Sequence, residues 1–184
     1  MPLPDSGCSS LSRGSGKGNP VFTIAIMEKD DIQFRSAMDT AVRILTSRGH
    51  TGRELALKLK KRRIKPAVVD QVVAECERLN YIDDAETARH YLEELKRKGY
   101  GRRYVRSAMH KKGVAADTID RILEQGYVDS EERENAESIV EKRQATFNRE
   151  KDPRKRKSKI YRYLYSRGFS PGTIAEAMNK LINY

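Results

Sequence analysis

The chain has 184 residues, of which 38% are hydrophobic and 34% are charged, and its formal net charge is +11 at pH 7. This composition leaves little apolar material for one deep core, and no stretch approaches the roughly 18 apolar residues that a membrane-spanning helix needs. The two cysteines cannot build a disulfide framework or a cysteine-ligated metal site, so a reducing cytoplasm is the expected compartment. The positive charge favours a polyanionic partner, nucleic acid first, because bound Lys and Arg side chains displace condensed counterions.

Glycine, serine and proline dominate the start of the chain, where residues 1–20 read MPLPDSGCSSLSRGSGKGNP. Such a composition buries too little apolar surface to order itself, so residues 1–29 are predicted to be a disordered or weakly ordered tail. Strand-forming side chains are concentrated in residues 21–27, VFTIAIM, which we expect to form either a short strand or a segment lying against the first helix. From Asp30 onward, helix signals dominate.

Three later segments share one pattern of apolar residues. Residues 47–73 align with residues 97–123 at a shift of fifty positions, and the second segment aligns with residues 154–178 at a further shift of fifty-five. The matched positions recur at helical spacing, and they are Leu55, Val105 and Ile160, then Leu59, Met109 and Leu164, then Ile64, Val114 and Phe169, then Val69, Ile119 and Ile174. The residues between them vary freely, which indicates a repeated supersecondary unit that buries the same stripe in each copy.

Capping signals divide these segments into helices. Thr51 and Glu54 have the spacing of a capping box, and Pro66 and Pro171 each stand just inside a predicted helix start, where a missing N–H costs nothing. The predicted fold is therefore all-α, with nine helices in three tandem three-helix units at residues 30–80, 82–126 and 128–184. Stacked in sequence, such units are expected to form an elongated, curved body, right-angled or crescent-like in outline.

The stretch LNYIDDAETARHY at residues 79–91 is either a metal or acid–base site or the start of a helix. The first hypothesis, a metal-dependent nuclease, would use Asp83, Asp84, Glu86 and His90. The next unit boundary repeats the capping spacing in Asp129 and Glu132, but it has Ala136 where the histidine would be. This recurrence favours helix caps, so the sequence predicts a non-enzymatic protein with no catalytic residue, no metal and no cofactor.

Positive charge is concentrated in the middle helix of each predicted unit, whereas the flanking helices hold most of the acids. Tandem units would therefore present one basic edge and one acidic edge. The candidate contacts for a polyanion are Arg62, Arg102, Arg103, Arg106, Lys111, Lys112, Arg154, Arg156, Lys157 and Arg167. The alternative is that these side chains only solubilise a helix face or favour the C-terminal end of their helix.

Five tyrosines lie among these basic residues: Tyr100, Tyr104, Tyr161, Tyr163 and Tyr165. Several of them fall near the apolar stripe, so packing in the core or at a unit boundary is the predicted role. Stacking on exposed nucleic-acid bases is the alternative.

The three units resemble, in order, those of RecX regulatory proteins. AVRILTSRGHTGRELALKLKKRRI is similar to the opening unit of that family, LNYIDDAETARHYLEELKRKGYGRRYVRSAMHKKGV to its central unit, and YLYSRGFSPGTIAEAM to its closing unit. The similarity covers residues 38–182, and the three units in order are specific where any one alone would be weak. Two positions depart from the family pattern: Thr87 stands where an aromatic is usual, and Arg63 replaces a glycine, which makes that turn less easily formed.

The resemblance implies a function as well as a fold. RecX proteins lodge in the helical groove of the RecA filament on single-stranded DNA, and they block its growth or promote its disassembly. Strand exchange, ATP hydrolysis and co-protease activity are then lowered, which relates the chain to DNA repair, recombination and the SOS response. The expected partners of this cytoplasmic monomer are the RecA filament and single-stranded DNA, with double-stranded DNA as a second candidate and no membrane. The alternative is a basic helical protein that binds nucleic acid alone, without RecA.

Overall fold

The computed structural model describes residues 20–182, and it describes side chains for residues 31–179. This part of the chain contains ten helices and no strand, which confirms the all-α prediction. The helices are α1 (Pro20–Leu45), α2 (Gly52–Lys61), α3 (Pro66–Arg78), α4 (Asp84–Arg97), α5 (Arg102–Lys112), α6 (Ala116–Gly126), α7 (Asp129–Lys142), α8 (Gln144–Phe147), α9 (Pro153–Ser166) and α10 (Pro171–Ile182).

The helices pack in three groups along the chain. α1, α2 and α3 contact one another, as do α4, α5 and α6, and the third group holds α7, α8, α9 and α10. Three tandem units are therefore present, as predicted, and the third contains one short helix, α8, that the sequence pattern did not predict. Each unit builds a hydrophobic cluster of its own instead of sharing one deep core.

The repeat register predicts which residues form these clusters. One repeat position is occupied by Leu59, Met109 and Leu164, and all three side chains are fully buried. A second repeat position is occupied by Val69, Ile119 and Ile174, which are buried to the same degree. The matched apolar positions are therefore core positions, one set for each unit.

Helix α1 begins at Pro20, earlier than the sequence indicated. Residues 21–27 belong to this helix, so the strand considered for them is wrong, and residues 20–29 of the predicted tail are helical as well. A strand would need a partner strand for its backbone, whereas extending a helix that already exists adds one hydrogen bond for each residue ordered. Residues 1–19, the remainder of the predicted tail, lie outside the described residues.

Most predicted helix starts are confirmed. Both hydrogen bonds of the capping box between Thr51 and Glu54 are present. Asp83 Oδ1 accepts a hydrogen bond from the Glu86 amide at 2.9 Å, so the first acid of IDDAET is a helix cap. Two prolines stand at the first position of their helices, Pro66 in α3 and Pro171 in α10.

The predicted cap at Asp129 is wrong. Helix α7 begins at Asp129 itself, and Val128 before it provides no side-chain cap. Glu132, the expected partner in this capping box, is buried and turned toward the neighbouring unit. The capping spacing is therefore kept in the sequence, but the glutamate carboxylate caps a different helix.

The junction between the first and second units joins the start of α2 to the end of α5. Thr51 Oγ1 donates a hydrogen bond to the Lys112 carbonyl oxygen at 2.6 Å, and the Gly52 amide donates to Asp84 Oδ1 at 2.9 Å. Glu54 in the first turn of α2 accepts from Lys112 Nζ at 2.5 Å. The positive end of one helix dipole thus meets the negative end of the next, and paired side chains close the contact.

The junction between the second and third units repeats this arrangement. The Gly101 amide donates to the Arg167 carbonyl oxygen and the Arg103 amide to that of Gly168, each at 3.0 Å. The Arg102 amide donates to Glu132 Oε1 at 2.8 Å. The start of α5 therefore meets the end of α9, and the three middle helices α2, α5 and α9 follow one another end to end.

Candidate polyanion-binding surface

Helix α9 is the most basic helix in the part of the chain that the structure describes. It begins at Pro153, where Asp152 Oδ1 accepts hydrogen bonds from the amides of Arg154 at 2.8 Å and Lys155 at 3.4 Å. Its charged residues are all cations, namely Arg154, Lys155, Arg156, Lys157, Lys159 and Arg162. Most of them lie near the N-terminus, where the helix dipole disfavours positive charge, so an effect on the helix dipole does not explain them.

Helix α9 buries one face and exposes the other. Leu164 is fully buried, and Ile160 and Tyr163 pack beside it against α7, α8 and α10. The side next to this buried face is exposed, and it carries Arg154, Lys157, Ser158, Tyr161 and Tyr165 at intervals of three and four residues. Cations therefore occupy the first half of the exposed face, and tyrosines occupy the second half.

The cations of α9 differ from those of α5 in their partners. Within residues 31–179, no ion pair of 4 Å or less joins a cation of α9 to an acid, whereas Arg106 of α5 pairs with Asp120 and Lys112 pairs with Glu54. An exposed ion pair neutralises much of the field that a polyanion would feel. The strongest unneutralised positive surface in this range is thus the exposed face of α9.

Lys112 and Arg167, two of the predicted contacts, are held at the unit junctions instead. Burial raises the pKa of Glu54, but hydrogen bonds from Lys112 and Arg48 outweigh burial, and the net pKa is lowered. Arg167 Nη1 donates to the Lys98 carbonyl oxygen at 2.7 Å. The two cations occupy one repeat position, which in the first unit is held by the exposed Arg62.

Arg102 is also anchored inside the protein. Two of its guanidinium nitrogens donate to the Tyr127 carbonyl oxygen, and a third lies 3.3 Å from Asp129. The side chain is half-buried and its own amide caps α5 through Glu132. A charge reversal at Arg102 would therefore disturb the junction between the second and third units. A loss of binding in that variant would not identify a ligand contact.

The other predicted contacts remain at the surface to different degrees. Arg62 and Lys111 are exposed near the ends of α2 and α5. Arg103 is exposed at the start of α5, and its guanidinium lies 4.4 Å from the ring centre of Tyr165 on α9. Arg156 is half-buried beside an apolar depression between α7, α8 and α9. Only Arg103 extends the exposed face of α9 into the second unit.

We call the exposed set Arg103, Arg154, Lys157, Tyr161 and Tyr165 the α9 surface. The tyrosines of α9 were predicted mainly to pack, and this prediction holds for Tyr163, which is half-buried and makes an edge contact with the Phe147 ring. Tyr161 and Tyr165 remain 39% and 45% exposed. The i, i+4 spacing of this pair, at positions outside the apolar stripe, was the signal that sequence reasoning missed.

The two aspartates of the nuclease hypothesis cap different helices. Asp83 caps α4 and Asp84 caps α2, and His90 is exposed on the surface of α4. No group of three or more potential metal ligands occurs among the described residues. The same range contains no helix that is both long and apolar enough to cross a membrane.

Three family models match the chain in order. Residues 37–76 match the first three-helix domain of RecX, residues 83–123 match the second, and residues 130–178 match the third. The matches follow the three groups of helices in the fold. Together they span most of the part of the chain that the structure describes.

Whole-sequence and structural comparisons agree with these matches. The regulatory protein RecX of Deinococcus radiodurans is 35% identical over 141 residues, which cover 77% of this chain and 66% of that protein. RecX of Chlorobium phaeobacteroides is 30% identical over 153 residues, covering 82% and 97%. The crystal structure of RecX from Lactobacillus salivarius has the same fold, with a TM-score of 0.74 and 20% identity over 84% of this chain and 99% of that one.

Proposed function

The chain belongs to the RecX family of regulatory proteins, and from that membership we propose that it binds the RecA filament on single-stranded DNA and restrains its activity. Binding would limit filament growth and lower recombinase, ATPase and co-protease activity. The protein would act as a monomer in the cytoplasm, without chemistry of its own. Its described residues supply surfaces for such a role, and the two aspartates of the nuclease hypothesis cap helices.

One observation carries the DNA part of this proposal: five of the six cations of α9 are exposed, and none of the six has an ion-pair partner among the described residues. Cations in this state keep their full attraction for phosphate, and each phosphate contact releases counterions. Arg103 continues the surface into the second unit because the Gly101 and Arg103 amides hold the start of α5 against the end of α9. The surface can thus follow a strand across a unit boundary.

The contact with a protein filament is supported by the acids on the flanking helices. Glu124 and Glu134 are exposed on the flanking helices α6 and α7. A body with separate positive and negative surfaces can bind a groove that is lined both by phosphates and by basic protein loops. The arrangement of charge therefore suits a nucleoprotein filament better than free DNA.

The experiment that tests this function is a titration of preformed RecA filaments, with ATP hydrolysis as the readout. If the proposal is correct, the protein suppresses hydrolysis at amounts well below those needed to cover the DNA. Suppression that begins only when the protein is abundant enough to coat the free strand would favour the alternative, a protein that binds nucleic acid alone.

A charge-reversed pair of variants locates the contact. Arg154→Glu with Lys157→Glu should abolish suppression, and it should reduce the slope of log affinity against log salt for single-stranded DNA by about 1.4, since each phosphate contact contributes about 0.7. Arg89→Glu with Arg121→Glu is the matched control, because both side chains are exposed, on α4 and α6, and the net charge changes equally. Equal losses in the two double variants would show that net charge, and not the α9 surface, is responsible.

A further inference from the structure

Two exposed aromatic rings lie one helical turn apart on α9. The rings of Tyr161 and Tyr165 are parallel within 11°, and their centres are 6.1 Å apart. Tyr161 and Tyr165 are 39% and 45% exposed, whereas Ile160, Tyr163 and Leu164 provide the contacts of α9 with the core of the third unit. The tyrosine pair therefore presents aromatic surface to solvent.

Arg103 from the second unit extends this pair. Its guanidinium lies 4.4 Å from the ring centre of Tyr165, and one of its nitrogens lies 3.3 Å from the tyrosine hydroxyl. The junction places it there, since the Arg103 amide donates to the Gly168 carbonyl oxygen at 3.0 Å. One planar cation and two aromatic rings thus form a row that is assembled only when the second and third units are joined.

The surroundings of this row are suited to phosphates. A shallow depression beside Tyr161 is lined by Lys157, Ser158 and Arg162. Tyr127 is an example of a tyrosine with a purely structural role in this protein. Its side chain is fully buried, and its hydroxyl donates to the Tyr100 carbonyl oxygen at 2.8 Å. Tyr161 and Tyr165 have the opposite environment, exposed and flanked by cations.

We propose that Tyr161, Tyr165 and Arg103 form a stacking platform for unpaired nucleobases, with Lys157 and Arg162 contacting the adjoining phosphates. Aromatic faces and guanidinium planes stack on any base, so the platform recognises single-stranded nucleic acid without selecting a sequence. In a duplex the base faces are covered by their neighbours, so the rings of the platform have no base face on which to stack. The platform rests on the proposed function for its ligand, the DNA strand of the filament.

The test compares two strands of equal length and charge: a fluorescently labelled oligothymidylate and an abasic strand with the same sugar–phosphate backbone. Both affinities are measured by anisotropy at one salt concentration. The wild-type protein should bind the oligothymidylate at least about fivefold more tightly, the lower end of what stacking on one aromatic side chain contributes. Equal affinity of the wild-type protein for the two strands would overturn the platform without any variant.

Variants assign the preference to the tyrosines. Tyr161→Ala with Tyr165→Ala should remove the preference and leave the affinity for the abasic strand unchanged, whereas Tyr161→Phe with Tyr165→Phe should keep the preference because the rings remain. Tyr81→Ala is the control, since Tyr81 is exposed but lies at the end of the first unit. A double alanine variant that still prefers the base-bearing strand would contradict the assignment.

These outcomes separate the platform from the proposed function. If the protein suppresses RecA hydrolysis but does not distinguish the two strands, the function stands and the platform fails. If it distinguishes the strands but leaves preformed filaments unaffected, the platform stands and the filament proposal fails.

Discussion

The Arg102 amide donates a hydrogen bond to Glu132 Oε1 at 2.8 Å, which joins the start of α5 to the first turn of α7 in the next unit. The Gly52 amide makes the equivalent bond to Asp84 Oδ1 at 2.9 Å in the preceding junction. In both places an acid of the following unit satisfies an amide that the middle helix itself leaves without a partner. Replacing either acid is therefore expected to weaken the junction between the two units that it joins.

Glu132→Ala should lower the free energy of unfolding by about 1–3 kcal/mol, because the part-buried Arg102 amide then lacks its acceptor. Denaturant unfolding followed by circular dichroism measures this change. Glu134→Ala is the control, since Glu134 is exposed on the same helix and should change stability by no more than about 0.5 kcal/mol. Equal losses of stability in the two variants would show that the hydrogen bond between Glu132 and the Arg102 amide does not stabilise the protein.

The pH dependence of Glu132 can be separated from its capping role. Burial raises the pKa of Glu132, and the amide and charge of Arg102 only partly oppose this. The folded state then binds the proton more tightly than the unfolded state, so this carboxyl contributes stability below pH 4.5 that is lost as pH rises through the folded pKa. Glu132→Gln keeps an acceptor but does not titrate, so its unfolding free energy relative to wild type should increase from below pH 4.5 to neutral pH. A difference that is constant over this range would contradict the raised pKa.

Gly101→Ala should weaken the junction between the second and third units. A Cβ atom at residue 101 would lie 2.6 Å from the Gly168 carbonyl oxygen and 2.5 Å from the Phe169 amide nitrogen, and backbone atoms cannot move aside easily. We expect a loss of about 1–3 kcal/mol in the free energy of unfolding, as for other overpacked sites. Gly172→Ala is the matched control: its Cβ would meet only Ser170 Oγ at 3.7 Å, and alanine should raise helix stability by up to about 1 kcal/mol. Unchanged stability in Gly101→Ala would show that the two units separate at little cost.

His50 should make the first unit sensitive to acid. Burial lowers its pKa, and the charges of Arg48 and Lys58 act in the same direction, whereas the hydrogen bond with the Arg48 carbonyl and the charge of Glu54 oppose them only in part. The unfolded state therefore binds the proton more tightly, and the stability that neutral His50 contributes above pH 6.5 is lost as pH falls through the folded pKa.

The stability difference between wild type and His50→Gln should thus narrow as pH falls below 6.5. Thermal unfolding over a series of buffers measures it, and His90→Gln, at an exposed position, is the control. A difference that widens in acid would mean that protonated His50 is accommodated in the folded state.

Arg63 occupies a left-handed backbone conformation at the turn after α2, with φ of 61°. The corresponding turns of the other units use Gly113 and Gly168, with φ of 88° and 86°. Since a side chain in this region costs roughly 1 kcal/mol, Arg63→Gly should raise the free energy of unfolding by about 0.5–1 kcal/mol. Asn80→Gly is the comparison, because Asn80 has φ of 56° but asparagine tolerates this region, so its gain should be smaller. A larger gain at Asn80 would contradict this reasoning.

The repeat and the core positions could be predicted because apolar periodicity is local information. Leu59, Met109 and Leu164 are separated by at least fifty residues, yet the same spacing within each segment identifies all three as buried. The pattern of charged residues did not predict which of them are exposed. Arg102 and Arg103 are neighbours in a basic run, but one is bound to the Tyr127 carbonyl and the other is exposed.

The amino-acid sequence alone determined the helical class, the threefold repeat and most helix ends, because caps, prolines and apolar stripes act within a few residues of where they stand. Only the tertiary structure decided which cations face solvent, that Glu132 caps α5 instead of its own helix, and that Arg103 stands over Tyr165. Each of these depends on residues tens of positions apart that meet where two units join. A local sequence pattern does not specify these contacts, because they depend on how one folded unit is oriented on the next.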